Sequence, residues 1–284
     1  MEFNIQKYFN FVRMPFSQKP PVDFLYKNTR TIEILNKLAY ATADNRFVVL
    51  SGPVGTGKST ILRCFTESLP KEEYQVFYLS CSAMTPRFLY VAPLLQLGIK
   101  PKFYMLNLKQ QFEKEVIAIT RAQGKKIVYI IDEAHLLDQH TRHPTECLEE
   151  IRFFLNVDYD SGSPITLILS GQNEIWDNTC LGNPRSRAIV QRVDLTCKTE
   201  PLTSEEVGEY IGAHLKAAGA SAELFETDAV KLIARGSGGI PRVINKICSQ
   251  GLLYAMSQSA SVVTCDMITS VFDNNELPDS VLIA

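Results

Sequence analysis

Residues 48–62 read VVLSGPVGTGKSTIL. An apolar run ending at Leu50 reads as a strand, Gly52 to Ser59 as a glycine-rich loop, and the apolar residues after Thr60 as a helix. Strand, loop and helix in that order, with Gly52, Gly57, Lys58 and Ser59 at these spacings, make a phosphate-binding loop. Gly52, Gly55 and Gly57 let the backbone turn and aim its N–H groups inward, and the following helix offers its positive end to the same phosphates. The run Pro53, Val54, Gly55, Thr56, Gly57, Lys58, Ser59 and Thr60 is therefore the expected contact for ATP. Lys58 meets the β and γ phosphates, and the Ser59 hydroxyl ligates Mg²⁺.

Downstream, residues 125–135 read KKIVYIIDEAH and put two acids at the carboxyl end of an apolar strand, where open α/β sheets bind ligands. Asp132 is expected in the Mg²⁺ shell and Glu133 as the base that orients and deprotonates the attacking water. The next strand ends LILSGQNE, with Ser170 and Gln172 as alternative first sensors of the γ phosphate. Residues 183–195, NPRSRAIVQRVDL, carry Arg185, Arg187 and Arg192, any of which can reach the phosphate of a neighbouring copy and stabilise its charge. In GSGGIPRVINKI, residues 236–247, Pro241 starts a helix and places Arg242 in its first turn, poised to swing onto the nucleotide.

Apolar strands at 47–51, 75–80, 126–132, 165–170 and about 192–195 alternate with helices, and only helices follow. The expected fold is α/β, a P-loop NTPase whose parallel five-stranded sheet is flanked by helices, plus a C-terminal helical lid. The expected divisions are a lead-in with a helix over 1–45, a nucleotide-binding core over 46–200, a helical lid over 201–275 and a tail over 276–284. Thr203 and Glu206 predict a capping box at the start of the lid's first helix.

The 284 residues are 45% hydrophobic with a net charge of −2, and no apolar run approaches the length of a bilayer span. With no export signal at the N-terminus, the expectation is a cytoplasmic protein without membrane partners. Seven cysteines without a CxxC pair suggest reduced thiols, and the mixed loop carrying His140, His143 and Cys147 is read as a loop in preference to a metal site. Charge is uneven: Lys100, Lys102, Lys109, Lys114, Arg121, Lys125 and Lys126 crowd one segment, and Asp138, Glu146, Glu149, Glu150, Asp158 and Asp160 the next. The basic segment is either a polyanion contact or a solvated helix face.

These motifs together resemble the AAA+ ATPases, and more narrowly the ExeA-type family. YFNFVRMPFSQKPPVDFLY (8–26), the phosphate loop, VYIIDEAHLL, CLEEIRFFLN, LILSGQNE, IVQRV and GIPRVINKI follow in the family's order. The resemblance implies that Gln172 is the first sensor and Arg242 the second, that Pro15 and Phe16 lie in a segment packed near the adenine, and that Arg187 is favoured as the arginine finger, with Arg185 and Arg192 open. His135 stands where the family's glutamine is expected. Secretion-associated members carry a membrane span and a peptidoglycan-recognising domain, whereas the compact members resemble transposition regulators of the TnsC and MuB type. The latter implies an ATPase that assembles as a ring or filament on double-stranded DNA through its phosphate backbone and recruits a transposase. The alternatives are an ATPase of secretion-system assembly, or a nucleotide-dependent assembly switch without DNA.

Overall fold

The computed structural model describes residues 4–17, 21–22, 25–80, 84–137, 146–154, 163–220 and 222–273. His140, His143, Asp138, Asp158, Asp160 and the expected tail lie outside the described residues. The chain divides into two units: a core unit of residues 30–54 and 58–199, and a helical unit of residues 1–29, 55–57 and 200–284.

The core unit is a five-stranded parallel sheet in the order β2-β3-β4-β1-β5, made of β1 (Phe47–Ser51), β2 (Tyr74–Ser80), β3 (Lys126–Asp132), β4 (Ile165–Gly171) and β5 (Leu195–Lys198). β1 and β4 are buried at every residue, as interior strands covered on both faces must be, and their sequences are accordingly continuous apolar runs. The edge strands β2 and β5 alternate buried and exposed positions instead. The last strand lies just beyond the 192–195 expected from sequence, because 187–192 continue a short helix and turn, and the Asp194 carboxylate accepts from the backbone N–H of Phe47 at 2.8 Å.

Strand periodicity decides what each face meets. Val48, Leu50, Val128, Ile130 and Ile168 turn to the face packed by α2 (Thr29–Ala43) and α3 (Lys58–Ser68), whose contributions are Ile34, Leu38, Ala41, Ile61, Leu62 and Phe65. Val49, Phe77, Leu79, Tyr129, Ile131, Leu167 and Leu169 turn to the opposite face, against α4 (Phe88–Gln96), α5 (Met105–Ile117) and α6 (Glu146–Phe154). None of the six described cysteines is in a disulfide.

The helical unit is built from α8 (Ser204–Ala217), α9 (Thr227–Ser237), α10 (Pro241–Ser257) and α11 (Cys265–Asp273) around Val207, Ile211, Leu215, Ile233, Ile244, Ile247, Leu252 and Ile268, joined by Phe11 and Phe16 from the N-terminal segment. The capping box forms: Thr203 Oγ1 accepts from Glu206 N at 3.2 Å and Glu206 Oε2 from Thr203 N at 2.8 Å. α9 stops at Gly238 and Gly239, both with positive φ; a Cβ on Gly239 would stand 2.0 Å from Leu202 O, so no other residue fits this turn.

Candidate nucleotide-binding site

β1, β3 and β4 end side by side, so the phosphate loop, the Asp132–Glu133 pair and Gln172 emerge from one edge of the sheet. Period-two alternation places Asp132 on the same face as Val128 and Ile130, the face covered by α3, and α3 opens with Lys58 and Ser59. Ser59 Oγ donates to Asp132 Oδ2 at 2.8 Å, while Asp132 Oδ1 accepts from Glu133 N at 3.0 Å. A hydroxyl and a 3%-exposed carboxylate brought together form the hard oxygen set that Mg²⁺ takes, so these residues fit the ion. The Lys58 ammonium is buried and donates to Gly52 O at 2.8 Å and Pro53 O at 2.9 Å, carbonyls of its own loop.

Backbone requirements explain the glycines. Gly52 has φ 155° and lies so close to Thr199 that a Cβ would be 2.1 Å from its Oγ1. Gly55 and Gly57 have φ 80° and 98°, a region that favours glycine. Val54 is exposed, Thr56 buried and Thr60 half-buried. Within the helical unit, the Arg242 backbone N–H donates to Gly55 O at 3.3 Å, and a Cβ on Gly55 would meet Ile240 at 2.8 Å and Arg242 Cβ at 3.1 Å. Pro241 occupies the first turn of α10, and the Arg242 side chain is exposed.

Of the two sensor alternatives, Ser170 is wholly buried on the α3 side of the sheet with an unsatisfied hydroxyl, whereas Gln172 is half-buried just past the end of β4. Glu133 has left-handed backbone, φ 56°, and a side chain 43% exposed. Arg185 lies in a single turn capped by Asn183, and Arg187 begins α7 (Arg187–Val190); both are exposed, while Arg192 is half-buried. Pro15 and Phe16 are buried in the helical unit, where Phe16 stacks on His214 with ring centroids 5.3 Å apart and meets Phe225 edge-on.

Two residues in this region make contacts that the sequence does not reveal: Tyr78, and His135, which stands where the family's glutamine is expected. Tyr78, on β2, donates its phenol to Asp132 Oδ2, the oxygen that Ser59 also reaches; burial and the neighbouring carboxylate raise its pKa, so the phenol keeps its proton. His135 is 7% exposed and touches both Glu133 and the Gln172 backbone. For Tyr78 the available signal was alternation: Phe77 and Leu79 face the core, leaving Tyr78 on the α3 side with Asp132 on the adjacent strand.

In the basic segment, Lys109 pairs with Glu150 at 2.7 Å, Lys125 Nζ donates to Lys71 O and Lys126 Nζ to Ala43 O. Lys100 and Lys102 stay exposed on the loop before α5. No described helix is long and apolar enough to cross a membrane.

A family model described as "AAA domain" matches residues 41–178. General secretion pathway protein A of Aeromonas hydrophila is 31% identical over 278 residues, covering 96% of this chain and 49% of that protein. The chain thus spans about half the length of the curated relative it matches. Among solved structures, the Aeropyrum pernix ORC2 protein superposes with a TM-score of 0.67 at 13% identity, over 95% of this chain and 72% of that one. Drosophila ORC bound to DNA gives 0.66 at 18% identity, over 97% and 66%. At these identities the structural matches speak for the fold alone.

Proposed function

Because the chain belongs to the AAA+ ATPases as an ExeA-type member, we propose that it binds ATP and Mg²⁺ to hold copies of itself together and hydrolyses ATP to release them, in the service of secretion-system assembly. The observation that carries the nucleotide part is the Ser59–Asp132 pair beside a buried Lys58 at the ends of β1 and β3. The secretion context rests on the name of the relative from Aeromonas hydrophila.

The roles follow from charge and position. Lys58 and the N–H groups of the loop hold the β and γ phosphates; Ser59 and Asp132 hold Mg²⁺, which supplies charge neutralisation at the transferring phosphoryl group. Glu133 activates water, Gln172 orients it, and Arg242 reports the nucleotide to α10. Arg187, or its neighbour Arg185, is solvent-exposed and acts across the junction to a second copy; Arg192 is the third alternative. Pro15 and Phe16 lie in the segment that packs near the adenine.

Glu133→Gln tests this reading. Removing the base costs on the order of 100-fold or more in turnover while leaving ATP affinity intact, so the variant accumulates as an ATP-bound oligomer visible by light scattering. A chain that stays monomeric with saturating ATP analogue, or a Glu133→Gln variant with wild-type turnover, overturns it.

One observation favours a second reading, a cytoplasmic assembly on double-stranded DNA that recruits a transposase. No Asp or Glu lies between Glu73 and Glu113. Within that stretch Lys100 and Lys102 precede Phe103, 82% exposed, and the loop is pinned by Arg87 donating to Lys102 O and Phe103 O and by Gln111. Phosphate contacts make such binding salt-sensitive and sequence-independent. ATP-dependent DNA association at low salt that is lost in the Lys100→Ala, Lys102→Ala double variant supports this reading, and no association discards it.

A further inference from the structure

His135 lies in the single helical turn Ala134–Leu136 that follows Glu133, packed against the end of β4. The approach is close enough that a Cβ on Gly171 would stand 3.0 Å from His135 N and 3.3 Å from His135 Nδ1. That same Nδ1 accepts the backbone N–H of Gln172 at 3.3 Å and lies 3.5 Å from Glu133 Oε2. The two neighbours make opposite demands. An N–H donor needs a lone pair on Nδ1, whereas a carboxylate oxygen needs a proton there, and one ring nitrogen offers one or the other.

We propose that His135 is a positioning residue that couples Glu133 to the Gln172 segment through this exclusion. With the lone pair on Nδ1, the imidazole anchors the start of the β4 exit, and it repels the Glu133 carboxylate, which is then free to turn toward water. With the proton on Nδ1, the imidazole holds Glu133 back and releases Gln172 N–H. A change at the γ phosphate that shifts Gln172 is thereby passed to the base, and a base drawn onto His135 loosens the sensor. The left-handed backbone of Glu133 and the missing side chain at Gly171 are what let three groups from two strands meet at one atom.

The coupling rests on the assignment of Glu133 as base and Gln172 as sensor, and the test separates the two. His135→Leu fills the space without either hydrogen bond; His135→Gln makes both at once, its carbonyl accepting from Gln172 N–H while its amide donates to Glu133, and so removes the exclusion. The expected result is a kcat about tenfold or more lower for His135→Leu, because a misplaced base acts at a fraction of its efficiency. KM and the equilibrium affinity for ATP stay unchanged, since Lys58, Ser59 and Asp132 are untouched, and His135→Gln, which ties Glu133 and the Gln172 N–H at once, leaves kcat below wild type; a wild-type kcat in that variant overturns the exclusion. In a Glu133→Gln background, His135→Leu adds no further loss. A His135→Leu protein with wild-type kcat, or one whose loss is equally deep beside Glu133→Gln, overturns the coupling while the ATPase reading stands. Wild-type turnover in Glu133→Gln alone overturns both.

Discussion

The two units bury polar side chains to opposite ends. In the core unit the buried polar groups converge: Asp132 takes hydrogen bonds from Ser59, Tyr78 and the Glu133 backbone, and His135 faces Glu133 and Gln172. In the helical unit, His214 is 5% exposed and lies between the rings of Phe16 and Tyr210, 5.3 and 4.4 Å away. One arrangement collects polar groups at strand ends, where the proposed ATP and Mg²⁺ complete it. The other uses an imidazole as a flat ring that fills a core. Burial alone therefore says little about chemistry; the company a buried group keeps decides its use.

The largest effect that separates the two is one of pH. Burial lowers the His214 pKa to about 4 from the ordinary 6.5, so the unfolded chain takes up a proton that the folded unit refuses. The helical unit should hold its full stability above pH 6.5 and lose up to about 3 kcal/mol as pH falls from there toward 4. Urea melts across that range should show the loss in the wild type and not in His214→Phe. ATP binding at neutral pH should be the same in both proteins. A His214→Phe protein that folds but no longer binds ATP would make the His214 ring part of the site, beside the Pro15 and Phe16 segment proposed for the adenine.

A smaller effect probes the other side of the comparison. Tyr78 and Ser59 donate to the same oxygen of Asp132, and the proposed Mg²⁺ competes with both for it. Tyr78→Phe removes one competitor worth about 1 kcal/mol. The Mg²⁺ concentration needed for half-maximal binding of a fluorescent ATP analogue should drop about fivefold. An unchanged or weaker Mg²⁺ dependence would show that the phenol supports Asp132 instead of opposing the ion.

What the sequence made legible were features held by local rules. Gly52, Gly55, Gly57, Lys58 and Ser59 announce a loop because their spacing is the geometry, and the apolar run before Asp132 announces a central strand because both its faces are covered. The sheet's interior strands and the helical run after residue 200 follow from the same periodicities. The contacts of Tyr78 with Asp132 and of His135 with Gln172 were hidden for a different reason: the partners lie 54 and 37 positions apart in sequence, and only strand order brings them together. The two readings of the basic segment, polyanion contact or solvated helix face, are likewise inseparable along the chain. Seven like charges look like one patch along the chain, yet Lys109 is spent on Glu150 and Lys125 and Lys126 on backbone carbonyls, while Lys100 and Lys102 are exposed on the loop before α5, Lys114 on α5 and Arg121 just beyond it.

The smallest test asks whether the helical unit melts on its own terms. Its first helix starts with the reciprocal pair Thr203 and Glu206, which satisfies two backbone N–H groups that would otherwise face water. Thr203→Ala removes one of those bonds and should cost about 1 kcal/mol, as N-cap deletions do. That cost should appear in the transition that also carries the His214 pH dependence, and the melting of the sheet should not move if the two units unfold separately. Following Trp176, the single tryptophan and a residue of the core unit, reports on the sheet, while far-ultraviolet dichroism reports on both units. A shift of equal size in the two signals would mean that one cooperative transition joins the regions that burial sets apart, and the contrast between them would then hold for chemistry and not for stability.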